Sequence, residues 1–135
     1  KKDKQNQGLY SPVQASSRIY SSQDIERWHI NEMKSLLSRF SGVKFIFDNV
    51  KQKYYPVLRD AITSFRSKNE GKPLVVIDDT PFIDFDILDY PVNDIEEIFL
   101  LKGSDAAIWG PKASNGIIVI ITQRGKSTKI EQKEE

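Results

Sequence analysis

Asp94-Ile-Glu-Glu-Ile-Phe-Leu-Leu-Lys-Gly-Ser-Asp-Ala-Ala-Ile-Trp-Gly-Pro-Lys-Ala-Ser-Asn-Gly-Ile-Ile-Val-Ile-Ile-Thr122 is the stretch on which the fold of this chain turns. Two apolar runs, Ile95–Leu101 and Ile117–Ile121, flank a segment punctuated by Gly103, Gly110 and Gly116. The second run is β-branched throughout and does not alternate, so it reads as a strand covered on both faces near the centre of a sheet. Lys102-Gly103 ends the first run, and glycine there permits a tight turn. Asn115-Gly116 is a strong turn signal just before the second run. The spacing predicts two neighbouring strands joined by a small helical turn around Ser104–Trp109. Asn93-Asp94 reads as a cap opening the first of them.

Working upstream, Leu74–Ile77 reads as a short buried strand. Asp78–Tyr90 alternates acids with Phe82, Ile83, Phe85, Ile87 and Leu88, as the solvent-facing part of a strand or loop does. Val43–Phe47 and Tyr54–Leu58 are further strand candidates, and Pro56 favours an edge position for the second. Arg59–Lys72 is ambiguous; Ala61, Ile62 and Phe65 fit one helical turn. Ile25, Trp28, Met33, Leu36, Leu37 and Phe40 follow helical spacing, giving one helix or two consecutive helices over 23–40. Ser21 and Asp24 are spaced as a capping box at its start, and Ser41-Gly42 as its stop. Arg18–Tyr20 fits a short strand. Helix early and strands late, without strict alternation, predicts an α+β domain with a small mixed sheet, an early amphipathic helix and long loops. The expected organisation is a flexible segment over 1–17, one domain over 18–125 and a polar tail over 126–135.

With 39% hydrophobic and 29% charged residues in 135, the chain is long enough for one domain with a real core and too apolar to stay disordered. The net charge of +1 conceals an uneven distribution: +7 over residues 1–73, −8 over 74–101 and +2 over 102–135. The basic surplus is spread thinly and lacks aromatic interleaving, which speaks against a nucleic-acid surface. The longest purely apolar run has five residues, Ile117 to Ile121, where a membrane-spanning helix needs about 20, so no direct membrane insertion is expected. No stretch near the start resembles a signal peptide, and an export signal is expected to lie outside this sequence.

The catalytic readings fare poorly. The chain has no cysteine and one histidine, His29, so neither a thiol nucleophile nor a two-histidine zinc site is available. His29 reads as a helix-surface or boundary residue. Gly103 to Ser114 superficially suggests a phosphate loop, but six residues separate Gly103 from Gly110, and Pro111 removes a backbone N–H where phosphate needs donors. Asp78, Asp79, Asp84, Asp86 and Asp89 could bind calcium, yet they lack the loop pattern of a calcium site. The expectation is a non-enzymatic domain without cofactor or metal.

The quoted stretch resembles the most recognisable part of the plug domain of TonB-dependent outer-membrane receptors: D-I-E, an apolar strand ending in K/R-G, an A-A-φ-Y-G turn, R-A-x-N-G, and a strand ending in Thr. The N-G form is similar to the SusC-like branch, the nutrient-uptake receptors of Bacteroidota. Leu74-Val-Val-Ile-Asp-Asp-Thr-Pro81 resembles the family's strand followed by D-G-x-P. Leu36-Leu-Ser-Arg-Phe-Ser-Gly-Val43 is similar to its helix end, and Leu58-Arg59, more loosely, to its I-R-G. Matched features span about 19–125. The resemblance marks Arg59, Asp78, Pro81, Asp94, Lys102, Gly103, Gly110, Lys112, Ala113, Asn115, Gly116 and Thr122 as motif residues, mainly structural.

The chain also departs from the family pattern. Asp79 and Asp60 stand where glycine is usual, positions of positive φ if the pattern's geometry is kept. Phe99 replaces an acid, Trp109 a tyrosine and Lys112 an arginine; the acid lost at Phe99 and the arginine weakened to Lys112 are expected to alter polar contacts with a barrel wall. The resemblance implies a plug seated in the lumen of an outer-membrane β-barrel of the same parent chain, facing the periplasm. It would close the lumen, contact a transported ligand and be rearranged by a TonB-type periplasmic protein. The sequence itself encodes no barrel: nothing beyond Gly125 alternates. A barrel-less relative acting as a protein-interaction or ligand-binding module is the alternative.

Overall fold

The computed structural model describes residues 18–58 and 71–124. Arg59, Asp60, most of the ambiguous 59–72 stretch, and the two terminal segments lie outside the described residues.

Five strands form one mixed sheet: β1 (Tyr20–Ser21), β4 (Leu74–Ile77), β5 (Thr80–Phe82), β6 (Ile95–Leu101) and β7 (Ile117–Thr122). Their order is β1-β6-β7-β4-β5, with β4 and β7 parallel and every other pair antiparallel. The run 117–121 therefore sits at the centre, as its unbroken apolar character demands. Along β7 successive side chains point to opposite faces. Ile118 and Ile120 enter one core with Val75, Ile98 and Leu100, whereas Ile117, Val119 and Ile121 enter a second with Leu74, Val76, Phe99 and Leu101.

The first core is roofed by α1 (Ser22–Arg27) and α2 (Met33–Leu37), which contribute Ile25, Met33, Leu36 and Leu37. The second packs against Ala106, Trp109 and Ala113 of the connection between β6 and β7. Phe99 is wholly buried there. The change from an acid at this position is thus absorbed by the domain's own packing, and the expected loss of a polar contact to an outside wall is corrected on that point.

A register shift in the β6–β7 ladder between Ile95 and Glu97 inserts one residue. Ile95 and Ile98 are an odd number of residues apart, which in a regular strand would send them to opposite faces. The bulge brings both into the first core.

The 23–40 stretch forms the two-helix alternative. Ser21 accepts from the Asp24 amide, and Asp24 returns the bond to Ser21 N at 2.9 Å, completing the capping box. The first helix ends at Arg27 and is closed by Trp28 and then His29, whose φ is 56°. His29 N–H donates to Glu26 O at 3.1 Å and Ile30 N–H to Ile25 O at 3.0 Å. This is the two-bond helix stop normally built on glycine. Asn93 and Asp94 do not cap: they belong to a 3-10 helix, Val92–Asp94, without a side-chain cap bond. A turn already bonded through its backbone leaves Asp94's carboxylate for other partners.

β2 (Val43–Asp48) and β3 (Lys53–Leu58) form a separate antiparallel hairpin, in which Pro56 is tolerated because a two-stranded ribbon has free edges. At its base Leu58 is fully buried and Val43 and Phe45 pack on the first core.

Candidate functional site

The described motif residues do not gather at a single point; Asp78 and Thr122 secure one end of the parallel pair β4/β7, and Asn115 and Gly116 the other. At one end, Asp78 and Asp79 form a two-residue turn between β4 and β5 with φ 49° and 72°. Both being positive is the signature of the hairpin turn that favours Asp-Gly or Asn-Gly, so Asp79 holds the left-handed conformation expected where glycine is usual. Asp78 N–H donates to Ile120 O at 3.0 Å. Its carboxylate accepts from Thr122 N at 2.9 Å and from Thr122 Oγ1 at 2.5 Å. Two motif residues 44 positions apart in sequence thus form one clamp on the last residue of the central strand.

Beside this clamp lies Asp94, which accepts from Tyr90 OH at 2.5 Å and pairs with Arg124 at 3.5 Å. Burial, then the Asp94 bond, pushes the Tyr90 hydroxyl well above its ordinary value, so it stays a donor. Pro81 sits in edge strand β5 opposite Val76, where a missing N–H costs no ladder bond to a further strand.

At the opposite end of the pair, Asn115 is buried and its amide donates to Lys72 O at 3.2 Å, while Leu74 N donates to Gly116 O at 3.0 Å. Asn115 is therefore a buried bracket holding the start of β4 against the start of β7, beyond the turn-former role read from its dipeptide. Between β6 and β7 the chain runs through two 3-10 helices, Gly103–Trp109 and Pro111–Ala113. They meet at Gly110, whose φ 81° and ψ −166° fall in a region open essentially to glycine alone. Nothing lies within 4 Å of a Cβ built there, so backbone conformation and not crowding selects the residue. Lys102 and Gly103 lead into this excursion; Lys112 is exposed on it and Ala113 buried beneath it.

The acidic 78–89 segment meets lysines. Lys51 bonds Asp84 at 3.2 Å and Asp86 at 3.1 Å; Lys53 reaches Asp86 at 3.5 Å and Asp89 at 2.6 Å. Lys72 joins Asp48 at 3.1 Å and Asp84 at 2.8 Å. The Lys72 hydrogen bond lowers the pKa of Asp84 and of Asp48, and that of Lys51 lowers Asp86. Asp84, Asp86 and Asp89 are thus neutralised by ammonium groups, and among the described residues no trio of His, Asp or Glu is placed to hold a metal. Local sequence pattern does not reveal this lattice, because its lysines lie up to 36 residues from their acids. His29 is exposed at a helix end, in keeping with a boundary residue.

The family model described as TonB-dependent Receptor Plug Domain matches residues 11–117. Among solved structures, the siderophore receptor PirA from Acinetobacter baumannii superposes with a TM-score of 0.63 at 20% identity, over 83% of this chain and 18% of that one. The ferric enterobactin receptor PfeA from Pseudomonas aeruginosa, a mutant in complex with enterobactin, gives 0.58 at 19% identity, over 79% of this chain and 17% of that one. FpvA of P. aeruginosa, bound to heterologous pyoverdines, gives 0.57 at 11% identity, over 82% and 14%. The chain spans less than a fifth of the length of these receptors. The match covers most of the chain, including the glycine-punctuated excursion between β6 and β7, and the chain belongs to the TonB-dependent receptor plug domain family.

Proposed function

We propose that this chain is the plug of a TonB-dependent outer-membrane receptor, and that it acts by gating and not by catalysis. The observation that carries the reading is the family match over 11–117. The plug would sit in the lumen of a β-barrel belonging to the same parent protein, in the outer membrane and facing the periplasm. A TonB-type periplasmic protein would rearrange it so that ligand passes.

The architecture suits such a part. A gate must hold its shape while one portion moves, and here a sheet with a core on each face carries a hairpin that, among the described residues, shares no ladder with it. The motif residues belong to this frame: Asp78 with Thr122, and Asn115 with Lys72, hold strands in place.

The parent reading frame tests the proposal directly. Downstream of this domain it should encode antiparallel strands of about 10 residues with alternating polarity, repeated enough times to close a barrel. Binding of the parent-length receptor to a purified periplasmic TonB domain then tests coupling. A parent that ends soon after this domain, or continues into a soluble one, would favour the interaction-module alternative. A full-length receptor that does not bind TonB would sink the energised mechanism.

A further inference from the structure

We propose that the tip of the β2–β3 hairpin is an ion-latched flap, hinged on its buried base, which separates from the 84–89 segment when the lysine–aspartate lattice between them is screened. The inference stands on the fold alone and does not depend on whether the parent carries a barrel.

The two ends of the hairpin are held by different forces. At the base, the Val43–Leu58 pair and the neighbouring Pro56 and Val57 rest on apolar packing, and Leu58 belongs to the first core. Burial of this kind is insensitive to salt at moderate concentration. Toward the tip burial falls away: Phe47 and Tyr54 face each other at 42% and 50% exposure, and Val50 in the turn is 92% exposed. There the hairpin offers Asp48, Lys51 and Lys53, and across from it stand Lys72, Asp84, Asp86 and Asp89. Five ion pairs bridge the gap, from 2.6 to 3.5 Å, and a sixth, Lys72 with Asp84 at 2.8 Å, ties the far side together. Among the described residues the hairpin and the five-stranded sheet share no ladder, so no strand pairing there opposes a swing of the tip.

The lattice has the properties of a latch and not of a weld. Individually, exposed pairs contribute little. Collectively, the shared partners act together, since Asp84 joins Lys51 to Lys72 and Asp86 joins Lys51 to Lys53. Salt shortens the reach of such charges to about 3 Å at 1 M. Opening would uncover Tyr55 and Phe85, which line the narrow cleft between the two parts, together with Lys72. Lys34 lies 4.8 Å from the Tyr54 ring centre and adds a weaker, also cationic, contact on the side of α2.

Amide hydrogen exchange on the full chain, followed residue by residue by NMR, tests the idea. The amides of 46–48 and 53–55 should exchange roughly tenfold faster in about 1 M NaCl than in about 0.05 M, while those of β6 and β7 hold their rates. Asp84→Asn combined with Asp86→Asn should exchange fast at the tip already at low salt and lose most of the salt response. Asparagine keeps the positive φ of 58° that Asp84 adopts, so the backbone is not the variable. Tip amides that follow β6 and β7 at every salt concentration would overturn the proposal, as would a double variant with an undiminished salt response. If the variant does not fold, the wild-type salt series still decides.

Discussion

Asp78 and Asp79 are neighbours with the same chemistry and the same left-handed backbone, yet their environments give them opposite weights. The Asp78 carboxylate accepts two bonds from Thr122, whereas Asp79 is exposed in the same turn. Replacing Asp79 by glycine removes a left-handed penalty without removing a contact, and yields the Asp-Gly pair this turn type favours. Asp79→Gly should therefore raise stability, by up to ~1 kcal/mol, read as a higher urea midpoint at unchanged slope. Asp78→Gly relieves the same strain but strips the clamp from a buried threonine, and its midpoint should fall. Thr122→Val is the matching test from the other side. It keeps the shape and removes one bond to a charged group, which costs about 1.5–3 kcal/mol. Equal effects of the two glycine variants would show that the carboxylate clamp contributes nothing.

At the scale of the element, the early helical region shows how far local pattern carries. The spacing of Ile25, Trp28, Met33, Leu36 and Leu37 was enough to find the helical stretch, and Ser21 with Asp24 its start. The break at His29 was hidden, because the residue at that helix stop is usually glycine and here is histidine with φ 56°. His29→Gly should accordingly stabilise by about 0.5–1 kcal/mol, whereas Ser21→Ala, which removes the cap, should cost about 1 kcal/mol. Thermal melts of the two variants moving in the same direction would contradict this account of the helix ends. The β6–excursion–β7 unit was legible for the opposite reason: a doubly buried strand has no polar position to confuse its reading, and glycine marks its turns. What stayed illegible depends on long-range geometry. The bulge set by pairing Ile95 with Thr122 and Glu97 with Ile121, the Asp78–Thr122 clamp, Asn115 reaching Lys72, and the lysines facing Asp84, Asp86 and Asp89 all join residues that no local window contains.

For the whole molecule, these lattices make stability a function of pH with a sign that can be worked out. Asp48 and Asp84 are held below the ordinary 3.8, each chiefly by the Lys72 hydrogen bond, and Asp86 by that of Lys51. A carboxylate whose folded pKa is depressed binds protons more weakly folded than unfolded. Its stabilisation is complete above 3.8 and is lost as pH falls from there through the lower folded value. The lysines mirror this. Lys51 is raised above 10.5 first by Asp86 and then Asp84, and Lys53 by Asp89. Burial alone would lower Lys72, but its bonds to Asp84 and Asp48 raise it. Their contribution is complete below 10.5 and is lost as pH rises through the raised values. Tyr90, raised by burial and then by Asp94, adds to the loss on the alkaline side, from its ordinary 10.0 upward. The urea midpoint should therefore form a plateau between about pH 5 and 9 and decline on both sides. Because Lys51, Lys53, Asp84 and Asp86 are substantially exposed, while the Lys72–Asp48 pair is more sheltered, about 1 M NaCl should flatten most of the acid limb. Asp84→Asn with Asp86→Asn should flatten it too, without salt. An acid limb that is unchanged by both treatments would place the acid sensitivity elsewhere in the fold.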